Sequence, residues 1–319
     1  MTEYMLGKRE QVGWVEEDGG YGTLSSNTMS ADGFIPGKNI RVTPNFSKNF
    51  QEILSAGADN REIEDYEEGP ESLAFTISFN PTNWKFLKYC AHGTVTNTDS
   101  GSYYTHTFTK ADEVKSFTME WAKRSGTHHV ITLTGCVVKS WTVRFSSGTE
   151  DSMAEVTCNC VAKSATTGTS VTTLSAPTED AFQFRHAKLT WSGSEVTEVK
   201  SGEFTCSNGI DDNDSRYANA SLDKSIGEPI PKVLRYNFRF NIHQKDDTYF
   251  DDWNAATAVG STNKLELIRG SNDDLVITFS NTYVDNAVSP TNIEGITNVD
   301  VIGKCLSSSF VAKDSHDDY

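Results

Sequence analysis

A mainly β fold, built as two tandem β-sandwich units that each carry one flanking helix and one long loop, is what this chain predicts, and three observations predict it. The run Val130-Ile131-Thr132-Leu133-Thr134-Gly135 returns as Val276-Ile277-Thr278-Phe279-Ser280-Asn281. A second run, Ala74 to Asn80, returns as Arg235 to Asn241, with Phe75/Tyr236, Ile77/Phe238 and Phe79/Phe240 in register. Between the echoes each half carries a short helical pattern: Trp84, Leu87 and Ala91 in the first, Tyr249, Phe250, Trp253 and Ala256 in the second. The order strand, helix, strand, strand therefore occurs twice, which is the signature of a duplicated unit. Both halves also place a Gly/Pro stop, Gly69-Pro70 and Gly227-Glu228-Pro229, just before the second echo, and such dipeptides punctuate loops.

Taken in order, residues 1–38 read as an N-terminal arm. Tyr4, Trp14, Tyr21 and Phe34 are spread among glycines without a period. Such a segment cannot form its own core, and it is expected to dock on a neighbouring subunit. The first domain spans 39–163. It opens with a short strand around Ile40 and Val42, followed by a long polar loop over 45–72 holding Glu62, Glu64, Asp65, Glu67 and Glu68. Phe75 to Phe79 alternate apolar and polar, as a half-buried strand does. Thr82 follows Asn80-Pro81 as the N-cap of the first helix. The insertion 92–114 has no counterpart in the second half, and the β-prone run Tyr103 to Phe108 predicts a projecting hairpin there. Three strands follow, carrying Phe117/Met119/Trp121, then Val130–Thr134, then Trp141/Val143/Phe145. A final strand carries Val156, Cys158, Cys160 and Ala162.

Ser- and Thr-rich residues 164–182 read as a linker. The second domain, 183–313, opens with a hairpin of Ala187, Leu189 and Trp191 turning at Ser192-Gly193-Ser194, and a strand then runs through Val199 to Cys206. Its own long loop spans 207–231. The cleanest strand follows, with Tyr236, Phe238, Phe240 and Ile242 inward and Arg235, Asn237, Arg239 and Asn241 outward. Leu265/Leu267, Leu275/Ile277/Phe279 and Val299/Val301 complete the set. The acidic tail 314–319 is expected to be mobile.

The totals exclude several classes. With 28 Lys plus Arg against 44 Asp plus Glu, the net charge is −16 over 319 residues, so affinity for a nucleic-acid backbone is not expected. No apolar run reaches the roughly 18 residues a membrane span needs, and Met1 to Arg9 lack a signal-peptide core. The chain is expected to be made in the cytoplasm. Six cysteines are scattered; Cys158 and Cys160 share a strand face and read as small core residues rather than metal ligands. His128-His129 point to opposite faces and cannot chelate one metal. Asp211-Asp212-Asn213-Asp214 has Ser215 and Arg216 where a calcium loop needs glycine, so a solvated turn is expected. Pairs such as Glu62/Asp65 are what any acid-rich chain offers. No catalytic, cofactor-binding or metal residues are assigned, and no enzyme is expected. Trp141 and Trp191 read as core. Tyr103 and Tyr104 are the best candidates for an exposed glycan-binding platform, the alternative function.

Three segments resemble a known family. Tyr4-Met5-Leu6-Gly7-Lys8 to Val12-Gly13-Trp14-Val15-Glu16-Glu17, with Tyr21-Gly22-Thr23, is similar to the opening of long-tailed (siphovirus-like) phage tail tube, or major tail, proteins. Glu195 to Phe204 followed by Ser207-Asn208-Gly209 resembles the strand that opens the tube fold. Gly135-Cys136-Val137-Val138-Lys139-Ser140-Trp141-Thr142-Val143, running into Ala154 to Lys163, is similar too. The resemblance implies two tandem tail-tube-like β-sandwich domains, so that three copies would make a pseudo-hexameric, trimeric ring. Stacked rings would form a virion tail tube through which DNA passes without specific binding, its lumen lined by carboxylates. It also implies assembly in the host cytoplasm, tape measure and tail terminator or distal tail proteins as partners, and no cofactor. A tail-adaptor role is the alternative within virion proteins. The insertion 92–114 departs from the family pattern.

Overall fold

The structure, a computed structural model, describes residues 10–29, 33–53, 63, 65–123, 127–148, 152–211, 226–260, 263–287 and 297–319. It is mainly β. Sixteen strands belong to one continuous sheet, folded over so that its buried faces share one aromatic-rich core. The first half contributes β1 (Glu10–Glu16), β2 (Gly37–Ile53), β3 (Asp65–Pro81), α1 (Leu87–Cys90), β4 (Gly93–Asp99), β5 (Tyr104–Lys110), β6 (Phe117–Lys123), β7 (His129–Ser146), β8 (Glu155–Val161) and β9 (Ser164–Gly168). The second contributes β10 (Ala187–Trp191), β11 (Ser194–Val196), β12 (Val199–Ser207), β13 (Ile210–Asp211), β14 (Ile230–Pro231), β15 (Arg235–His243), α2 (Thr248–Ala255), β16 (Asn263–Gly270), β17 (Asp273–Asn286) and β18 (Asn298–Asp314).

One pairing order recurs. In the first half β1 pairs β6, β6 pairs β7, β7 pairs β8, β8 pairs β3 and β3 pairs β2. In the second, β10, β16, β17, β18, β15 and β12 follow one another in the same way. The echoed segments are the folding corners. Val130–Thr134 pair β6 and β9, whereas from Val137 onward β7 pairs β8 and then β12. Between them Gly135 has φ 63°, and its echo Asn281 has φ 51°. An αL residue inserted in a strand bends it sharply, and Gly and Asn are the residues that adopt αL most readily.

The two layers meet through rings. Phe86 lies 5.4 Å from Trp14, 5.2 Å from Phe117 and 6.1 Å from Phe79, so the α1 segment joins β1, β6 and β3. In the second half Trp191 sits 5.7 Å from Phe238, and Phe279 stacks 5.3 Å from Phe204. Trp141 and Trp191 are core residues, and all six cysteines are buried thiols.

Several expectations are corrected. Residues 45–72 are not simply a loop: β2 and β3 are 17-residue strands that run on as a two-stranded ribbon, Ile53 facing Asp65. Opposite charges facing across it, such as Lys48 and Glu68 at 3.0 Å, suit strand pairing despite the polar composition. The strands carrying Val130–Thr134 and Trp141–Phe145 are one bent strand. Thr82 caps nothing; Asn83 Oδ1 instead accepts the Lys85 N–H at 3.1 Å, and α1 is a single turn starting after Phe86. The described part of the arm docks on its own subunit, with Val12, Trp14 and Val15 buried.

The linker is tied down as well. β9 pairs β7, Thr172 N–H donates to Glu120 at 3.0 Å, and Phe182 is buried. The insertion forms the expected hairpin, β4–β5, but does not project, because β5 pairs β18 from Phe108↔Phe310 to Tyr104↔Asp314. The tail is docked rather than mobile: Tyr319 stacks on His106 at 3.7 Å and takes the Trp84 N–H at 2.9 Å.

Candidate functional site

The feature that strand alternation builds here is a surface rather than a cleft. β18, β15, β12, β7, β8, β3 and β2 lie side by side. One face turns Phe75, Ile77, Trp141, Val143, Phe204, Phe238 and Val301 into the core. Successive side chains point to opposite faces, so the other face collects Arg41, Ser78, Thr157, Thr142, Thr205, Asn237 and Lys304 in one cross-strand row. A parallel row holds Thr43, Thr76, Asn159, Ser140 and Ser207.

Side-chain hydrogen bonds knit these rows. Thr76 Oγ1 donates to Asn159 Oδ1 at 3.0 Å, Asn159 Nδ2 donates to Ser140 Oγ at 3.0 Å, and Thr142 and Thr205 share a hydroxyl bond at 2.9 Å across the junction of the two halves. Ion pairs complete the face: Arg144–Glu203 at 3.1 Å, Arg239–Asp300 at 2.6 Å and Lys304–Asp285 at 3.0 Å. Bonds from Asn241 and Arg239 hold the Asp300 carboxyl below its ordinary value, so it stays ionised. The arginines of β15, expected to point outward, do so on this face, while its first-half counterpart β3 presents Thr76, Ser78 and Asn80.

The edges of this surface differ from its centre. At the centre β12 and β7 pair through seven residues, Ser201↔Ser146 to Ser207↔Ser140. At one end, among the described residues, β2 pairs β3 alone. Beyond Val42 its side chains are exposed, and Phe50 at 53% and Tyr66 at 55% stand on the ribbon as bare aromatics, the kind of surface that partners cover. On the opposite flank α2 exposes Phe250 and Trp253.

Residues singled out in the sequence are not gathered into a reactive site. Tyr103 and Tyr104 are half-buried. Asp211 pairs with Lys232 at 2.7 Å, and residues 212–214 and Glu62 lie outside the described residues. Burial pushes the Cys90, Cys136 and Cys160 thiols far above their ordinary range and Cys206 up to about 12, which keeps them protonated. Among the described residues no group of three or more His, Cys, Asp or Glu is placed to hold a metal ion, and no helix is long and apolar enough to cross a membrane.

No curated protein matches the chain. A family model described as phage tail tube protein matches residues 7–311. That span takes in the repeated pairing order, the polar face and both corners, and the chain belongs to the phage tail tube protein family.

Proposed function

We propose that the chain is a non-enzymatic tail subunit, three copies of which close into a ring with a pseudo-sixfold wall. Rings stack into a hollow tube that DNA crosses without specific binding. The two repeated units, 39–163 and 183–313, each supply one sixth of the wall. The polar face lines the bore.

One observation carries this reading: the junction of β12 with β7. By the echoed register, Phe238 matches Ile77, so Phe204 of β12 corresponds to Val42 of β2. β2 is thus the strand that stands where β12 stands, yet its outer edge is bare among the described residues. The offset from Val130 to Val276 carries Ser140, where β7 begins to pair β12, onto Asn286, where β17 ends. A neighbouring copy that pairs β2 with the end of β17 repeats the internal junction, and three such contacts cover the edge of every β2, which is otherwise a template for aggregation. The β2–β3 ribbon, with Phe50 and Tyr66, is the contact to the next ring, a role expected of the arm and of the acidic loops together. Tape measure and tail terminator or distal tail proteins are the partners at the bore and the tube ends, with assembly in the host cytoplasm before incorporation into the virion.

Electron microscopy of the purified protein, or of particles containing it, tests this. Hollow tubes of threefold rings are expected. Protein that stays monomeric at every concentration, or rings of any other order, overturns it.

A further inference from the structure

The charges on the polar face alternate. Along one cross-strand row Glu155 of β8 faces Arg144 of β7, Arg144 faces Glu203 of β12, and Glu203 faces Arg239 of β15. Asp300 of β18, beside that row, closes on Arg239 at 2.6 Å. Five adjacent strands thus carry minus, plus, minus, plus, minus. Both arginine side chains are 60% exposed, so they are not buried structural ions. Each reaches solvent with a carboxylate at its guanidinium.

A guanidinium fork that fits a carboxylate fits a phosphate equally well. An exposed arginine on a wall passed by duplex DNA would therefore hold that DNA by displacing counterions. Neighbouring strands are about 4.8 Å apart, well inside the screening length of about 8–10 Å in physiological salt. Opposite charges at that spacing cancel before a phosphate at the bore centre senses either one.

The resemblance implied a repelling, carboxylate-lined lumen. This face is nearly balanced instead: Arg41, Arg144, Arg235, Arg239 and Lys304 stand against Glu155, Glu203, Asp285 and Asp300. The excess of −16 over the whole chain therefore resides elsewhere. We propose that Glu203 and Asp300 mask Arg144 and Arg239, so that Arg144 ties β7 to β12 across the seam between the halves and Arg239 ties β15 to β18, while duplex DNA finds neither guanidinium free. The inference rests on the reading in which this face lines the bore.

The test uses tubes of the wild-type chain, of Glu203→Gln/Asp300→Asn, and of that variant with Arg144→Gln/Arg239→Gln added. Electron microscopy first establishes that the wild-type chain forms hollow tubes and which face lines the bore; absent wild-type tubes, or this face outside, would reject the ring reading alone. Retention of a labelled short DNA duplex by the sedimented tubes is then measured at low and high salt. The first variant is expected to retain at least about tenfold more duplex than wild type at low salt and to release it at high salt. The second is expected to return to the wild-type level. Equal retention by wild type and the first variant, or retention that persists without the arginines, overturns masking. If the double variant does not assemble, Asp300→Asn alone takes the same measurement with the same two outcomes.

Discussion

Gly135 and Asn281 hold the two corners with the same backbone twist but different freedom to change. A Cβ on Gly135 would stand 2.5 Å from the Lys163 side chain and 3.1 Å from the Tyr21 ring, at a φ of 63° that disfavours any side chain. Gly135→Ala is therefore expected to cost at least about 2 kcal/mol in urea unfolding. Asn281 is exposed, and Asn281→Gly is expected to leave stability within about 0.5 kcal/mol. His92 supplies a pH dependence. It is buried, its Nε2 donates to Val138 O at 2.7 Å, and its Nδ1 accepts the Lys115 N–H at 3.1 Å. Burial lowers it to about 4 from 6.5. The unfolded chain then binds the extra proton first, so the stability this group contributes is full above pH 6.5 and is lost as pH falls toward 4, in all about 3 kcal/mol. Unfolding free energies measured from pH 7 to 4 are expected to fall across that window in the wild type and to flatten there in His92→Gln.

The hairpin β4–β5 and the C-terminal tail form one fastening between the halves. His106 is fully buried, with Nδ1 2.8 Å from Asn97 Oδ1 and Nε2 3.0 Å from Asp314 Oδ1, under the Tyr319 ring. Lys85 pairs with Asp318 at 2.6 Å. Tyr319→Ala is expected to cost about 3 kcal/mol and to speed hydrogen exchange of β5 and of the turn around Trp84 ahead of the rest. The hairpin was legible in the sequence, but its fastening to β18 and the tail was not. Period-2 alternation marked β15 and β3 because one face of each is wet. The same rule missed the ribbon, whose two faces are both wet, and it split β7, where Gly135 interrupts the alternation. The tail looked like a solvated end since charge and length say nothing of a long-range partner. Asp314 and His106 are 208 residues apart. The polar rows share that limit: each strand reveals its own outward residues, but only register across four strands aligns Glu155, Arg144, Glu203 and Arg239.

At the scale of the whole molecule, the two halves of the chain are joined by a shared sheet at β12–β7 and fastened by the hairpin from the first half onto β18 of the second. Among the described residues no equivalent hairpin separates α2, which ends at Ala255, from β16, which starts at Asn263. The junction inside the chain is therefore reinforced, and in the proposed ring the junctions between chains would have no such hairpin. Tubes of the proposed kind are expected to come apart in denaturant into intact single chains well before the chains unfold. Sedimentation alongside circular dichroism checks this, and a single coincident transition would count against it.

The place of β18 also sets a timetable for synthesis. β5 emerges from the ribosome about 200 residues before the segment Phe310–Asp314 that covers its edge. Until then the growing polypeptide keeps that border uncovered, and β7 likewise waits for β12. A nascent chain halted before Phe310 leaves the edge of β5 uncovered, and prematurely terminated products are expected to be prone to aggregation or proteolysis.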